Sequence, residues 1–141
     1  MEEFKKVEIL IDVPDGFIVN TDTRRLKVIL NNLLSNALRY CDAKKEQSYL
    51  RIKGEYTHSN IVLIFEDNGI GIQKEHLDKV FTMFYRATNQ NTGSGLGLYI
   101  VKDAIDKLKG LIKIDAVFGE GTTIQVSIPK REKHKERDLI N

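Results

Sequence analysis

A chain of 141 residues, 41% apolar and 30% charged with a formal net charge of +2, has the size and composition of one globular domain with a real core. Its positive charges are interspersed with acids, which argues against a dedicated nucleic-acid surface. No apolar run approaches the roughly 20 residues of a membrane span, and the N-terminus lacks a secretory h-region, so a cytosolic protein, or the cytosolic piece of a larger one, is expected.

In chain order, Lys5 to Val13 alternate as a strand, punctuated by Pro14, Asp15 and Gly16. Asp22 to Tyr40 follows, with Leu26, Ile29, Leu30, Leu33, Leu34 and Ala37 at helical spacing and Asp22 as the cap. At about 100° per residue, Asn32, Asn36 and Tyr40 line up beside that apolar stripe, with Arg39 next to them. Polar groups bordering a core need partners, and an amide oxygen is a hard ligand suited to Mg²⁺. On this helix alone the favoured reading is that they are ordinary surface or capping asparagines. After a charged loop, Asp42 to Gln47, two strands form a hairpin. The first alternates through Leu50, Ile52, Gly54 and Tyr56; the second is the continuous apolar run Ile61 to Phe65, ending in Glu66 and Asp67.

The stretch DNGIGI then interrupts the strand, and Leu77, Val80, Phe81 and Phe84 mark a short helix after Gln73. Tyr85 to Ser94 is polar without periodicity, the pattern of a lid or binding loop, and is expected to be mobile without a ligand. GSGLGL opens a second long helix with Leu98, Val101, Ile105 and Leu108 inward, closed by Gly110. Ile112 to Ala116 and Ile124 to Ile128 make a second hairpin through FGEG, and Pro129 ends the globule. Lys130 to Asn141 reads as a solvated, partly disordered tail. Cys41, the single cysteine, can form no internal disulfide and reads as a small half-buried residue.

Glycines clustered on separate loops suggest backbone approaching a ligand closely, although tight turns need glycine anyway. GSGLGL lacks the ending of a P-loop and does not follow a strand as the Rossmann fingerprint does. It still places free N–H groups and a positive dipole end beside the lid, which suits phosphate. Asp67, where a buried strand meets the crevice, must be solvated, paired, or waiting for a ligand donor such as an adenine amino group.

The order of these pieces resembles the catalytic, ATP-binding domain of sensor histidine kinases, in the superfamily of gyrase B, the mismatch-repair ATPases and a heat-shock chaperone. NNLLSNALRY is similar to the N box, DNGIGI to the G1 box, VFTMFYRA to the F box, GSGLGLYIV to the G2 box and GEGTT to the G3 motif. The resemblance implies a two-layer α/β (α+β) sandwich: a mixed, mostly antiparallel sheet with helices on one face, and ATP between the central helix and a mobile lid. It implies that Asn36 coordinates Mg²⁺ bridging the phosphates, that Asn32 lines the same pocket, and that Arg39 and Arg86 meet phosphate. Tyr40 would pack beside the nucleotide. Asp67 would bind the adenine amino group, with Gly71 and Thr122 beside the associated water and Gly69 and Ile72 in the same wall. Gly93, Gly95, Leu96, Gly97 and Leu98 would bring lid backbone to the nucleotide, and Phe81 and Phe84 would anchor the lid.

Asn32 bears on the chemistry. Hydrolytic relatives typically have glutamate four residues before the magnesium asparagine; an amide cannot act as a general base near neutral pH. The site would position and polarise ATP while a partner supplies the nucleophile. His58, His76 and His134 lack the context of a phosphoacceptor and read as solvent histidines. The acceptor histidine, and beyond it a response regulator, would belong to an upstream helical-hairpin domain. Met1 is followed almost at once by the first strand, so a monomeric piece of a longer protein is expected. The alternatives are a stand-alone ATPase or serine kinase of the same superfamily, and a regulatory module that binds nucleotide without turnover.

Overall fold

The computed structural model describes residues 6–82, 85 and 97–131. Five strands form one sheet in the order β1-β2-β3-β5-β4, and two helices cover one of its faces. The strands are β1 (Val7–Asp12), β2 (Ser48–Tyr56), β3 (Asn60–Asp67), β4 (Leu111–Val117) and β5 (Gly121–Pro129). β1 runs parallel to β2, and every other neighbouring pair is antiparallel. Parallel pairing requires a crossover, and the helix α1 (Thr23–Arg39) supplies it. Both expected hairpins form, β2 with β3 and β4 with β5.

α1 starts where Asp22 caps it. Asp22 Oδ1 accepts from the N–H groups of Arg24 and Arg25 at 3.0 and 3.3 Å, satisfying donors that the first helical turn leaves open. Those bonds, the one from Arg25 foremost, hold the Asp22 carboxyl below its ordinary range. Ile29, Leu33 and Ala37 are buried and Leu26, Leu30 and Leu34 flank them, which is the stripe that the spacing predicts. α2 (Gly97–Lys107) packs alongside α1 and buries Val101, Ala104 and Ile105. Both helices press on the inward residues of the sheet, Leu50, Leu63, Phe65, Ile124, Val126 and Ile128. On the other face, Glu66 accepts from Arg51 at 3.2 Å and faces Lys53 at 3.7 Å, the wet side of the alternation in β2. In β3, Ile61, Val62, Leu63 and Phe65 are buried, while Ile64 is only partly so.

Four details differ from the sequence reading. The segment after Gln73 is a 3-10 helix, Lys74–Lys79, with none of its own residues buried; Val80, just past its end, is the buried anchor. At the end of α2 the left-handed residue is Lys109 (φ 60), not Gly110. Gly110 is required because a Cβ there would stand 2.4 Å from the Ser127 carbonyl oxygen. Lys130, placed in the tail by its composition, is tied to the β2–β3 turn by its N–H to Ser59 O at 2.9 Å. His76 is no plain solvent histidine, since its Nδ1 is hydrogen-bonded to the Tyr85 hydroxyl. Of the expected lid only Tyr85 falls within the described residues; Phe84, Arg86, Gly93, Gly95, Leu96, His134 and the tail beyond Arg131 lie outside them.

Candidate functional site

Between α1 and the inner face of the sheet lies a cleft of about 890 Å³, counting its open mouth. Its floor is apolar, built from Leu33 of α1 and from Leu50, Phe65 and Ile124 of the sheet. The same inward positions that make the core continue into it. Among the described residues that line the cleft, Asp67 is the sole acid.

Asp67 ends β3. Its Oδ1 accepts from the N–H of Gly69 at 2.9 Å and from that of Thr122 at 3.3 Å, and both bonds use the same oxygen. Among the described residues no donor is bonded to Oδ2, which leaves its lone pairs for an incoming donor. Burial pushes the carboxyl above its ordinary value of 3.8, against the pull of those two N–H bonds and of the Lys45 charge. The wall beside it is set by glycines, for a reason that the sequence alone does not show. A Cβ on Gly69 would fall 2.5 Å from the Tyr40 carbonyl oxygen, and one on Gly71 would fall 2.2 Å from that of Val117. What approaches these glycines is the chain's own backbone. Ile70 then donates to Tyr40 O at 2.9 Å, and Gly119 to Ile70 O at 2.7 Å, so the loop is stitched to α1 and to the β4–β5 turn. Asn68 looks outward from this wall, bonding Gln47 O and the Tyr49 N–H, and so fixes the start of β2.

The asparagines meet the start of α2. A Cβ placed on Gly97 would stand 3.4 Å from Asn36 Oδ1 and 3.6 Å from Asn32 Oδ1, so two amide oxygens converge on one point where α2 begins. Asn32 is turned this way because its Nδ2 donates to Val28 O at 2.7 Å, leaving the oxygen outward. Gly97 is the first described residue of α2.

Of the residues singled out from the sequence, Asn36, Tyr40, Asp67, Gly71, Ile72, Leu98 and Thr122 line the cleft. Gly97 and Asn32 stand at its edge, and Gly69 sits behind Tyr40. Arg39, on the last turn of α1, is exposed and is not part of the lining. Tyr85, the first residue of the expected lid, also lines the cleft, and sequence reasoning passed over Ile70, Gln73, Ile114 and Phe118 as lining residues. Phe118, 59% exposed in a turn, was a signal that could have been read, because an aromatic there has little else to do. Lys45 was also passed over, and nothing in its charged loop marks it.

Residues 21–132 match the family model of the histidine kinase-, DNA gyrase B- and HSP90-like ATPases. The chain belongs to this ATPase family. Among relatives of this ATPase domain, the autoinducer 2 sensor kinase/phosphatase LuxQ of Vibrio parahaemolyticus is 36% identical, the match covering 94% of the chain and 16% of LuxQ. The sensor histidine kinase WalK of Bacillus subtilis is 32% identical over 96% of the chain and 23% of its own length. The chain thus spans less than a quarter of either relative. Among solved structures, a chain of the mycobacterial sensor histidine kinase MprB superposes with a TM-score of 0.74 at 28% identity, covering 89% of this chain and 83% of that solved chain. The nucleotide-free catalytic domain of histidine kinase ThkA gives 0.73 at 25% identity, with 88% and 80% covered. The chain is accordingly an ATPase domain of the histidine-kinase type. Among its described residues no helix is long and apolar enough to cross a membrane, and no group of three or more His, Cys, Asp and Glu could hold a metal ion.

Proposed function

We propose that this domain binds Mg-ATP in the cleft and donates the terminal phosphoryl group to a histidine on a separate helical-hairpin domain of the same protein. A response regulator would take the group onward, as the sensor-kinase names of the relatives suggest. The residues present fit such a ligand. An apolar slot of this size with few polar groups suits a base, and a carboxylate with a free lone-pair face suits its amino group. Two hard amide oxygens facing Gly97 suit a cation and the phosphates it accompanies.

In this reading Asp67 accepts from the adenine amino group, Tyr40 packs beside the base, and Gly69, Gly71, Ile72, Leu98 and Thr122 shape the slot. Asn36 holds the metal and Asn32 orients beside it. Arg39 follows Asn36 by one turn on the same helix edge and reaches phosphate with a fork of donors. Arg86, Gly93, Gly95, Leu96 and Gly97 belong to the phosphate side. Magnesium, when bound, supplies charge withdrawal across the phosphates.

One observation carries the choice of a partner-supplied nucleophile: among the described residues lining the cleft the sole acid is the half-buried Asp67, and an amide occupies position 32. In this reading Asp67 Oδ1 is taken by two N–H groups and Oδ2 by the base, which leaves no other described acid in the lining to activate water. The test is a phosphate-release assay on the chain alone beside a transfer assay with the hairpin domain of its full-length protein. Slow release alone and acid-labile label on a hairpin histidine are expected. Brisk release that the hairpin leaves unchanged would establish a stand-alone ATPase instead. An absence of binding heat with an ATP analogue would remove the nucleotide reading altogether.

A further inference from the structure

Three loops meet behind Asp67, and one ammonium joins them. Lys45 Nζ donates to the main-chain oxygens of Asn68 at 2.6 Å, Glu120 at 3.0 Å and Gly69 at 3.2 Å. The first and third belong to the loop that follows β3; the second belongs to the β4–β5 turn. An ammonium has three N–H donors, and here three carbonyls from two connections are set around it. Lys45 is aimed by its own loop, where Asp42 Oδ1 accepts from the Lys44 N–H at 3.0 Å and Asp42 O from the Lys45 N–H at 3.1 Å. The turn that it grips lies directly on Asp67: a Cβ on Gly121 would be 2.0 Å from the Asp67 carbonyl oxygen.

We propose that Lys45 is a positioning residue for base recognition, clamping the two connections that hold Asp67 so that its carboxylate stands at fixed depth and stays charged in the cleft. This rests on the reading of Asp67 as the acceptor for the base. Among the described residues, the titratable groups that share Asp67's surroundings are Tyr40 at the end of α1, Tyr85, Asp115 and Glu120 from the β4–β5 hairpin, and Lys45 from the loop before β2. Lys45 is the one cation in this set, and its charge acts on Asp67 against the effect of burial. A carboxylate that must be ionised to accept a hydrogen bond from a ligand gains from a cation held at that spot. Three charge-assisted bonds to backbone hold the ammonium far more firmly than a surface ion pair would.

The experiment is calorimetric titration of the 141-residue chain and of Lys45→Met with ADP and with inorganic tripolyphosphate, across acid to neutral pH. Methionine keeps the stem and removes the charge and the donors. ADP affinity is expected to fall about tenfold at neutral pH, the size of one lost charge-assisted hydrogen bond, with tripolyphosphate affinity unchanged. The pH below which ADP binding is lost should move upward in the variant, because the carboxylate then protonates more readily. A variant that binds ADP as the parent does at every pH would overturn the assignment of Lys45 alone. A parent chain that binds no ADP would overturn the nucleotide reading and this one with it. A variant that melts lower but keeps the parent's pH profile would reduce Lys45 to a structural tie, which also overturns the proposal. Should Lys45→Met not fold, the unaltered chain still decides: the Lys45 ammonium protons should exchange slowly with water in nitrogen-resolved spectra, and exchange as fast as that of an exposed lysine would contradict the clamp.

Discussion

The Asp67 carboxylate works against the stability of the domain and, in the proposed function, for the binding of a ligand. Its proton is held more tightly in the folded state than in the unfolded chain, because burial disfavours the charge. By linkage, a raised acid contributes stability that is present below its ordinary value of 3.8 and is lost as pH rises through the raised value. At neutral pH the ionised group is therefore a net cost. Asp67→Asn keeps an acceptor for the Gly69 and Thr122 N–H groups and removes that cost, so thermal denaturation at neutral pH should show an unchanged or higher Tm. The same variant offers the base an N–H donor as well as an acceptor, which suits guanine as much as adenine. Its ATP affinity should fall about tenfold more than its GTP affinity, on the scale of one mispaired polar group. Equal losses for the two nucleotides would count against Asp67 as the base acceptor. For Asn36→Ala, whose side chain stands at the cleft edge outside the core, the fold should persist by circular dichroism while magnesium-dependent ATP binding disappears. Magnesium dependence equal to the parent's would remove Asn36 from the metal.

At the scale of elements, the loop after β3 is shaped by steric exclusion. Gly71 has φ 70, and a Cβ there would lie 2.2 Å from the Val117 carbonyl. Gly71→Ala should cost about 2 kcal/mol or more, since both the dihedral and the contact resist it. Because that loop is one wall of the cleft, ATP affinity should fall along with the denaturation midpoint; an alanine variant with parental midpoint and affinity would show that the wall is pliant. What was legible in the sequence follows from the same physics. α1 and α2 could be read because buried leucines, isoleucines and valines recur with the helical period, and Asp22 could be read because a helix start needs an acceptor. β3 could be read from its continuous apolar run. The reason for DNGIG could not, since the partner of Gly71 lies in β4, far along the chain, and only the folded sheet brings Val117 to it. The 3-10 geometry of Lys74–Lys79 was hidden as well: with no apolar face of its own, the segment is held by the anchor Val80 next to it. Lys45 carried no signal because its acceptors are backbone atoms, which every residue has.

In the whole molecule, the sheet order β1-β2-β3-β5-β4 brings the end of β3 beside the start of β5, placing Asp67 opposite Thr122. The two hairpins could be read from the sequence, but their joining through β3 and β5 and the parallel β1 could not, because alternation fixes which face is buried and not which edge is paired. The family resemblance supplied that pairing in outline as a mixed sheet, and the fold agrees with it. The helices then close the other wall, with α1 carrying Asn32 and Asn36 to the start of α2. Asp67 and the amide pair thus sit on different layers of the sandwich, joined by the apolar floor. The most direct test is a structure of the chain with magnesium and a non-hydrolysable ATP analogue. The expected result places the adenine amino group within hydrogen-bonding reach of Asp67 and the metal on Asn36 Oδ1 where α2 begins. A nucleotide bound elsewhere, with Asp67 and Asn36 both distant from it, would contradict the account.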